Sequence, residues 1–258
     1  AAELQTVAFN PSLLDDVAQV VISPGFSLQE AVVQEALERG LPVVGDIELF
    51  AREARVPIAA ITGTNGKSTV TTLVAELANA GGRRAVAGGN LGDPALDLLA
   101  RPTPDLYVLE LSSFQLETTH SLHTVTSAVL NVTPDHMDRY ASLEAYGAAK
   151  ARIFDGCDVA VINADDPVVR GMPRPGQSVV SFSLESHAAD YTLEHRPAPM
   201  IVRRGEPLLP LAAMRLQGLH NAANAMAALA LAEALELPLA PALDALCAFA
   251  GLPHRSQW

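Results

Sequence analysis

An apolar run, Pro57-Ile58-Ala59-Ala60-Ile61, passes through Thr62 into Gly63-Thr64-Asn65-Gly66-Lys67-Ser68-Thr69 and then into Val70-Thr71-Thr72-Leu73-Val74-Ala75-Glu76-Leu77-Ala78. The first part reads as a buried strand and the last as a helix. A buried strand that turns at once into a helix is the building unit of a parallel sheet, so this stretch constrains the fold more than any other. It constrains chemistry as well. Glycines let successive backbone N–H groups turn toward one anion, and the helix N-terminus adds unpaired donors and a partial positive charge. Lys67 is placed to offset the terminal phosphates of a nucleoside triphosphate such as ATP, and Ser68 or Thr69 can ligate Mg²⁺. The blander alternative is a glycine turn that caps a helix through Ser68 or Thr69. The loop is also shorter than the common G-x-x-x-x-G-K-[ST] form, because Ile61 stands where the first glycine belongs.

The rest of the chain repeats the α/β rhythm. Strands are expected at 17–22 and 41–45, with a helix through Ala31–Leu37 between them, then a helix over 46–55 and a linker at Val56-Pro57. A second segment carries expected strands at 58–62, 84–88, 105–111, 125–131, 158–163 and 178–183. Most are apolar without strict alternation, as in a parallel sheet covered on both faces. Residues 186–216 break the rhythm and predict antiparallel strands at an edge. Two Ala/Leu-rich helices follow, at 220–235 and 239–249. The expected architecture is α/β: a partial Rossmann-like N-terminal domain, then a phosphate-loop-type nucleotide-binding domain with a mostly parallel sheet and a small antiparallel edge. The expected boundaries are 1–56, 57–250 and a linker at 251–258, with further sequence expected beyond both ends.

The 258 residues are 49% hydrophobic and carry a net charge of −12. That field disfavours nonspecific binding to nucleic acid or anionic lipid, so any anionic ligand must be held by local cations. Cys157 and Cys247 stand far apart in no metal-ligand spacing and read as small buried hydrophobes in a reducing compartment. No apolar run approaches the ~20 residues of a membrane helix, and cytoplasmic location is the default.

Other stretches add candidate chemistry. Glu110 closes the apolar strand Val108-Leu109, at the sheet end where open α/β folds bind ligands, and a carboxylate there can hold Mg²⁺. Ser112 and Ser113 read as helix caps. Asn131-Val132-Thr133-Pro134-Asp135-His136-Met137-Asp138-Arg139 gathers charges and an imidazole after another core strand, so His136 can ligate a metal or orient a nucleophile. Lys150 lies in a helix, where most lysines are solvated. Asp165 and Asp166 either help hold a nucleotide or begin a helix. Asn221 and Asn224 place two amides one turn apart on one helix face.

Together these stretches resemble the Mur ligases of bacterial peptidoglycan synthesis, through Gly63–Thr69, Gly89-Asn90-Leu91-Gly92, Leu109–Glu117, Asn131–Tyr140, Lys150 and His220–Asn224. The shortened glycine loop is that family's own form. Gly45–Phe50 and Gly251–Arg255 look particular to the member that adds glutamate to UDP-N-acetylmuramoyl-L-alanine. The resemblance implies an ADP-forming amide ligase that works through an acyl phosphate, with ATP and two Mg²⁺ ions. It implies Lys67, Glu110, His136 and Lys150 as catalytic residues and Ser68, Glu110, His136 and a carbamylated Lys150 as metal ligands. ATP would contact Gly63–Thr69, Asn221, Asn224 and Arg255. The UDP-sugar would contact Ser23, Gly25, Asn90, Ser112 and His136. A monomer is expected. A sibling ligase adding another amino acid, or glutamate to folate, and a non-catalytic ATP-binding fragment are the alternatives.

Overall fold

The structure is a computed structural model that describes residues 9–195 and 198–252. Its N-terminal unit is small. Strand β1 (Val20–Val21), helix α1 (Ala31–Glu38) and strand β2 (Val43–Val44) make one parallel pair. Leu14, Val33, Ala36 and Val43 form its core. Both strands are shorter than their apolar runs, because each finds only the other as a ladder partner.

Helix α2 (Asp46–Glu53) has Asp46 and Glu48 in its first turn and Arg52 in its last, complementing the helix dipole at both ends. Its apolar face leaves the small unit. Ile47 and Phe50 are buried with Ile58, Tyr107 and Leu109 of the large sheet. Phe50 meets the Tyr107 ring edge-on at 5.0 Å. By packing, α2 therefore sits with the larger body, although the sequence pattern groups it with residues 1–56.

The large body alternates strand and helix. In chain order it comprises β3 (Ile58–Thr62), α3 (Lys67–Ala80), β4 (Ala85–Gly89), α4 (Ala95–Leu98), β5 (Leu106–Glu110) and α5 (Ser113–Glu117). Then come β6 (Thr124–Val129), α6 (Leu143–Ala151), β7 (Cys157–Asn163), α7 (Pro167–Arg170) and β8 (Ser178–Ser183). The antiparallel edge is β9 (Tyr191–Glu194), β10 (Met200–Arg203) and β11 (Glu206–Pro210), and α8 (Leu219–Ala234) and α9 (Leu239–Ala248) close the chain. The strand order is β11-β10-β9-β8-β7-β6-β3-β5-β4. Strands β3 to β9 run parallel, while β10 and β11 are antiparallel. This is the expected α/β class with its antiparallel edge.

Side-chain alternation along each strand builds two cores. Ala59 and Ile61 of β3 face α3 and α8, whereas Ile58 and Ala60 face α2 and the shorter helices; β5 divides the same way, with Leu106 and Val108 opposite Tyr107 and Leu109. The alanine run of α8 is buried almost all round, and its small side chains let it lie close to α3. Of the four- and five-residue helices, α5 begins at the expected Ser112 cap and α7 at Asp166, whereas α4 is too short to show a helical period. The two cysteines are half-buried rather than buried. Strand β3 lies between β5 and β6, so the chain leaves it toward one edge and later crosses back over it. Loops diverge at its carboxyl end, where a crevice opens.

Candidate active site

The crevice begins with the glycine loop. Gly63 and Gly66 hold φ of 153° and 84°, conformations that side chains resist. The loop is anchored by Asn131, which follows β6. Its Oδ1 accepts from Thr64 N at 3.1 Å and Asn65 N at 2.8 Å, and its Nδ2 donates to Asn65 O at 3.0 Å. Lys67 Nζ donates to Gly63 O at 3.0 Å and Thr64 O at 2.9 Å.

Two cavities flank this loop and share Asn65 and Gly66. The first, about 440 Å³, is lined by Thr64–Ser68, Asn90–Gly92 and Glu110. Glu110 is buried at the end of β5. Its Oε1 accepts from Asn90 Nδ2 at 2.8 Å, and its Oε2 is buried with no hydrogen-bond partner. A carboxylate oxygen left bare beside a serine hydroxyl and a phosphate loop fits a hard cation such as Mg²⁺, which needs only one or two protein oxygens. Gly89 permits this pairing: a Cβ there would lie 2.5 Å from Glu110 O.

The second cavity, about 420 Å³, is lined by Thr69, Leu130, Asn163, Phe182, His220, Asn221 and Asn224, among others. Its mix of apolar faces and amides suits a heterocyclic base. Asn221 Nδ2 donates to Gln217 O at 2.8 Å, and Asn224 Nδ2 to Asn221 Oδ1 at 3.3 Å. A Cβ on Gly66 would meet Asn224 Oδ1 at 2.6 Å, so α8 presses directly on the loop.

Lys150 departs from the ordinary helix lysine. It is 1% exposed. Its Nζ donates to Gly63 O at 3.0 Å, the carbonyl that Lys67 also uses, and lies 4.4 Å from the Tyr146 ring centroid. Burial, with the nearby Lys67 charge, lowers its pKa from 10.5 to about 7, against a smaller opposing effect of Asp135.

The remaining candidates are dispersed. His136 adopts a φ of 53° on a half-exposed loop, its ring 4.9 Å from Phe114 and 6.4 Å from Tyr146. It lines neither flanking cavity. Among the described residues, no three His, Cys, Asp or Glu side chains gather as a metal cluster. Ser112 caps α5 in a reciprocal box with Gln115. Asp166 caps α7 and also accepts from Val132 N at 2.7 Å, so its structural role is evident. Ser23 lines a narrow crevice between the two units, against Phe114, Glu117 and Arg139. Gly25 lies in the same turn. Arg255 falls outside the described residues. Sequence reasoning assigned no role to Asn131, Phe182, Tyr146 or Arg139. Asn131 had a signal, as an amide directly after a core strand, whereas the others look like ordinary core or surface residues.

The chain matches the family described as Mur ligase middle domain over residues 61–232. It is 52% identical, over its whole length, to the UDP-N-acetylmuramoylalanine–D-glutamate ligase of Nitrosococcus oceani, covering 57% of that protein. Identity to the enzyme of that name from Escherichia coli K12 is 50%, covering 58% of it. The chain thus spans a little over half the length of these relatives. Among solved structures, a UDP-N-acetylmuramate–alanine ligase from Thermotoga maritima superposes with a TM-score of 0.65 at 26% identity, over 94% of this chain and 57% of that one. A UDP-N-acetylmuramoyl-L-alanyl-D-glutamate–2,6-diaminopimelate ligase shares the fold, with a TM-score of 0.70 over 94% of this chain and 63% of that one, at 24% identity. The match over residues 61–232 and the identity of 50–52% to these relatives show that the chain belongs to the Mur ligase family and carries that family's middle domain.

Proposed function

We propose that this chain is the ATP-binding part of a ligase that joins D-glutamate to UDP-N-acetylmuramoyl-L-alanine. The carrying observation is the cavity in which the phosphate loop, Ser68 and the bare Oε2 of Glu110 meet. The names of the relatives at 50–52% identity support the choice of substrates.

In this reading the substrate carboxylate attacks the γ-phosphorus of ATP, the bond to the β-bridging oxygen breaks, and ADP leaves. The amine of glutamate then adds to the acyl phosphate carbonyl, loses a proton and expels phosphate, leaving an amide. Lys67 and the loop N–H groups hold the triphosphate and offset its charge. Ser68 and Glu110 would hold Mg²⁺, which screens the phosphate oxygens. Asn221 and Asn224 would frame the base. Ser23, Gly25, Asn90, Ser112 and His136 would face the UDP-sugar.

Lys150 has a chemical reason to be modified. Its lowered pKa leaves much of the amine neutral near neutrality. A neutral amine adds to CO₂ and releases a proton, giving a carbamate. That product would replace a buried cation with an anion able to serve, with His136, a second Mg²⁺. We place the enzyme in the cytoplasm as a monomer; among the described residues no helix is long and apolar enough to cross a membrane.

The test is phosphate release by the full-length protein. Release should require both UDP-N-acetylmuramoyl-L-alanine and D-glutamate, and Glu110→Ala and Lys150→Ala should abolish it. Release that needs neither substrate, or a different amino acid, would refute the assignment.

A further inference from the structure

Arg139 stands three residues after His136 but spends its side chain on the N-terminal unit. Its guanidinium donates to Gly25 O at 3.3 Å and Phe26 O at 2.9 Å, across 114 and 113 positions of sequence. The same group lies 4.4 Å from the Phe114 ring centroid and 3.7 Å from the Glu117 carboxylate. Phe114 in turn touches the His136 ring at 4.9 Å and stacks on Tyr140 at 5.8 Å. Backbone bonds tie the loop to itself: Arg139 N and Tyr140 N donate to His136 O at 2.9 and 3.1 Å. The side chain is 17% exposed, so water competes weakly for it.

We infer that Arg139 is a positioning residue that fixes the Ser23–Phe26 turn against the His136 loop and so sets the affinity of the crevice for a nucleoside-diphosphate sugar. The inference rests on the proposed function only for the identity of that ligand. The strut works in two ways. It occupies two carbonyl oxygens that would otherwise present negative ends at the mouth of an anion site. It also sets a fixed cation beside the turn that the proposed function gives to the UDP-sugar, in a chain whose net charge is −12. Glu117 lies 3.7 Å from that cation; burial pushes its carboxyl pKa up, while Tyr140 and the Arg139 charge pull it down. A planar fork suits this task, because its edge holds two carbonyls in fixed geometry while its face lies over a ring.

The experiment uses full-length protein with Arg139→Met and the conservative Arg139→Lys. Loss of charge-assisted bonds of this kind should raise KM for UDP-N-acetylmuramoyl-L-alanine about ten- to a hundredfold in Arg139→Met while KM for ATP stays within about twofold. Arg139→Lys should recover only part of the loss. Amide hydrogen exchange should quicken over residues 23–26 in the unliganded Arg139→Met protein and stay unchanged over 63–69. Unchanged exchange over 23–26, or an equal rise in both KM values, overturns the strut. Faster exchange at 23–26 in a protein whose wild type ignores the UDP-sugar would uphold the strut and overturn only the assigned ligand.

Discussion

Replacing Lys150 with methionine should stabilise the protein below neutral pH while destroying its activity. The side chain is 1% exposed, and methionine fills a similar volume. A fall in pKa from 10.5 to about 7 means that the buried ammonium costs the folded state about 5 kcal/mol relative to the neutral amine. Removing Lys150 does not orphan Gly63 O, because Lys67 still donates to it at 3.0 Å. The sign follows from proton counting. Between the folded and unfolded pKa values the unfolded chain binds one more proton at this site, so wild-type stability rises with pH. Below about pH 7 the full cost is present, and Lys150→Met should be the more stable protein by a few kcal/mol. Its advantage should then shrink by about 1.4 kcal/mol per pH unit, or roughly 2.7 kcal/mol between about pH 7 and 9. Urea unfolding of both proteins across this range measures it. CO₂-free buffers are needed, so that no carbamate adds a second titration. A stability difference that stays flat from neutral to alkaline pH would refute the reasoning, because it would mean that Lys150 titrates as an ordinary lysine.

Two further perturbations have defined outcomes. Burial alone would raise the Glu48 pKa, but the N–H groups of Ser121 and His120, the Ser121 hydroxyl and Arg52 more than offset it, bringing it from 4.5 to about 2. Glu48→Gln should therefore cost about 3 kcal/mol at neutral pH, and the wild-type advantage should vanish as pH falls from 4.5 toward about 2, read by denaturant unfolding. Gly66→Ala puts a Cβ 2.6 Å from Asn224 Oδ1 at a φ of 84°; the strained backbone costs about 1–2 kcal/mol. Titration with a fluorescent ATP analogue should show at least tenfold weaker binding, and unchanged affinity would mean that α8 does not brace the loop.

Several features were legible without coordinates because each is set by neighbours in sequence. The parallel α/β class follows from apolar runs separated by helical ones. The antiparallel edge at β9–β11 follows from a break in that rhythm, and the phosphate loop from glycine spacing between a strand and a helix. Glu110 could be placed because a strand of alternating cores has a definite carboxyl end. The short helix α4 escaped, since four residues carry no period. The packing of α2 escaped as well: its sequence shows an amphipathic helix but not which of two bodies receives the apolar face.

The sequence alone therefore determined the strand–loop–helix unit and the sheet that must surround it, because backbone propensity and side-chain alternation act over a few residues. Only the tertiary structure decided that Lys150 lies 3.0 Å from a carbonyl 87 positions away, or that Arg139 holds Gly25. A buried and a solvated lysine look alike along a helix. What separates them is the surrounding dielectric and the neighbouring charge, and both arise only when distant segments pack together.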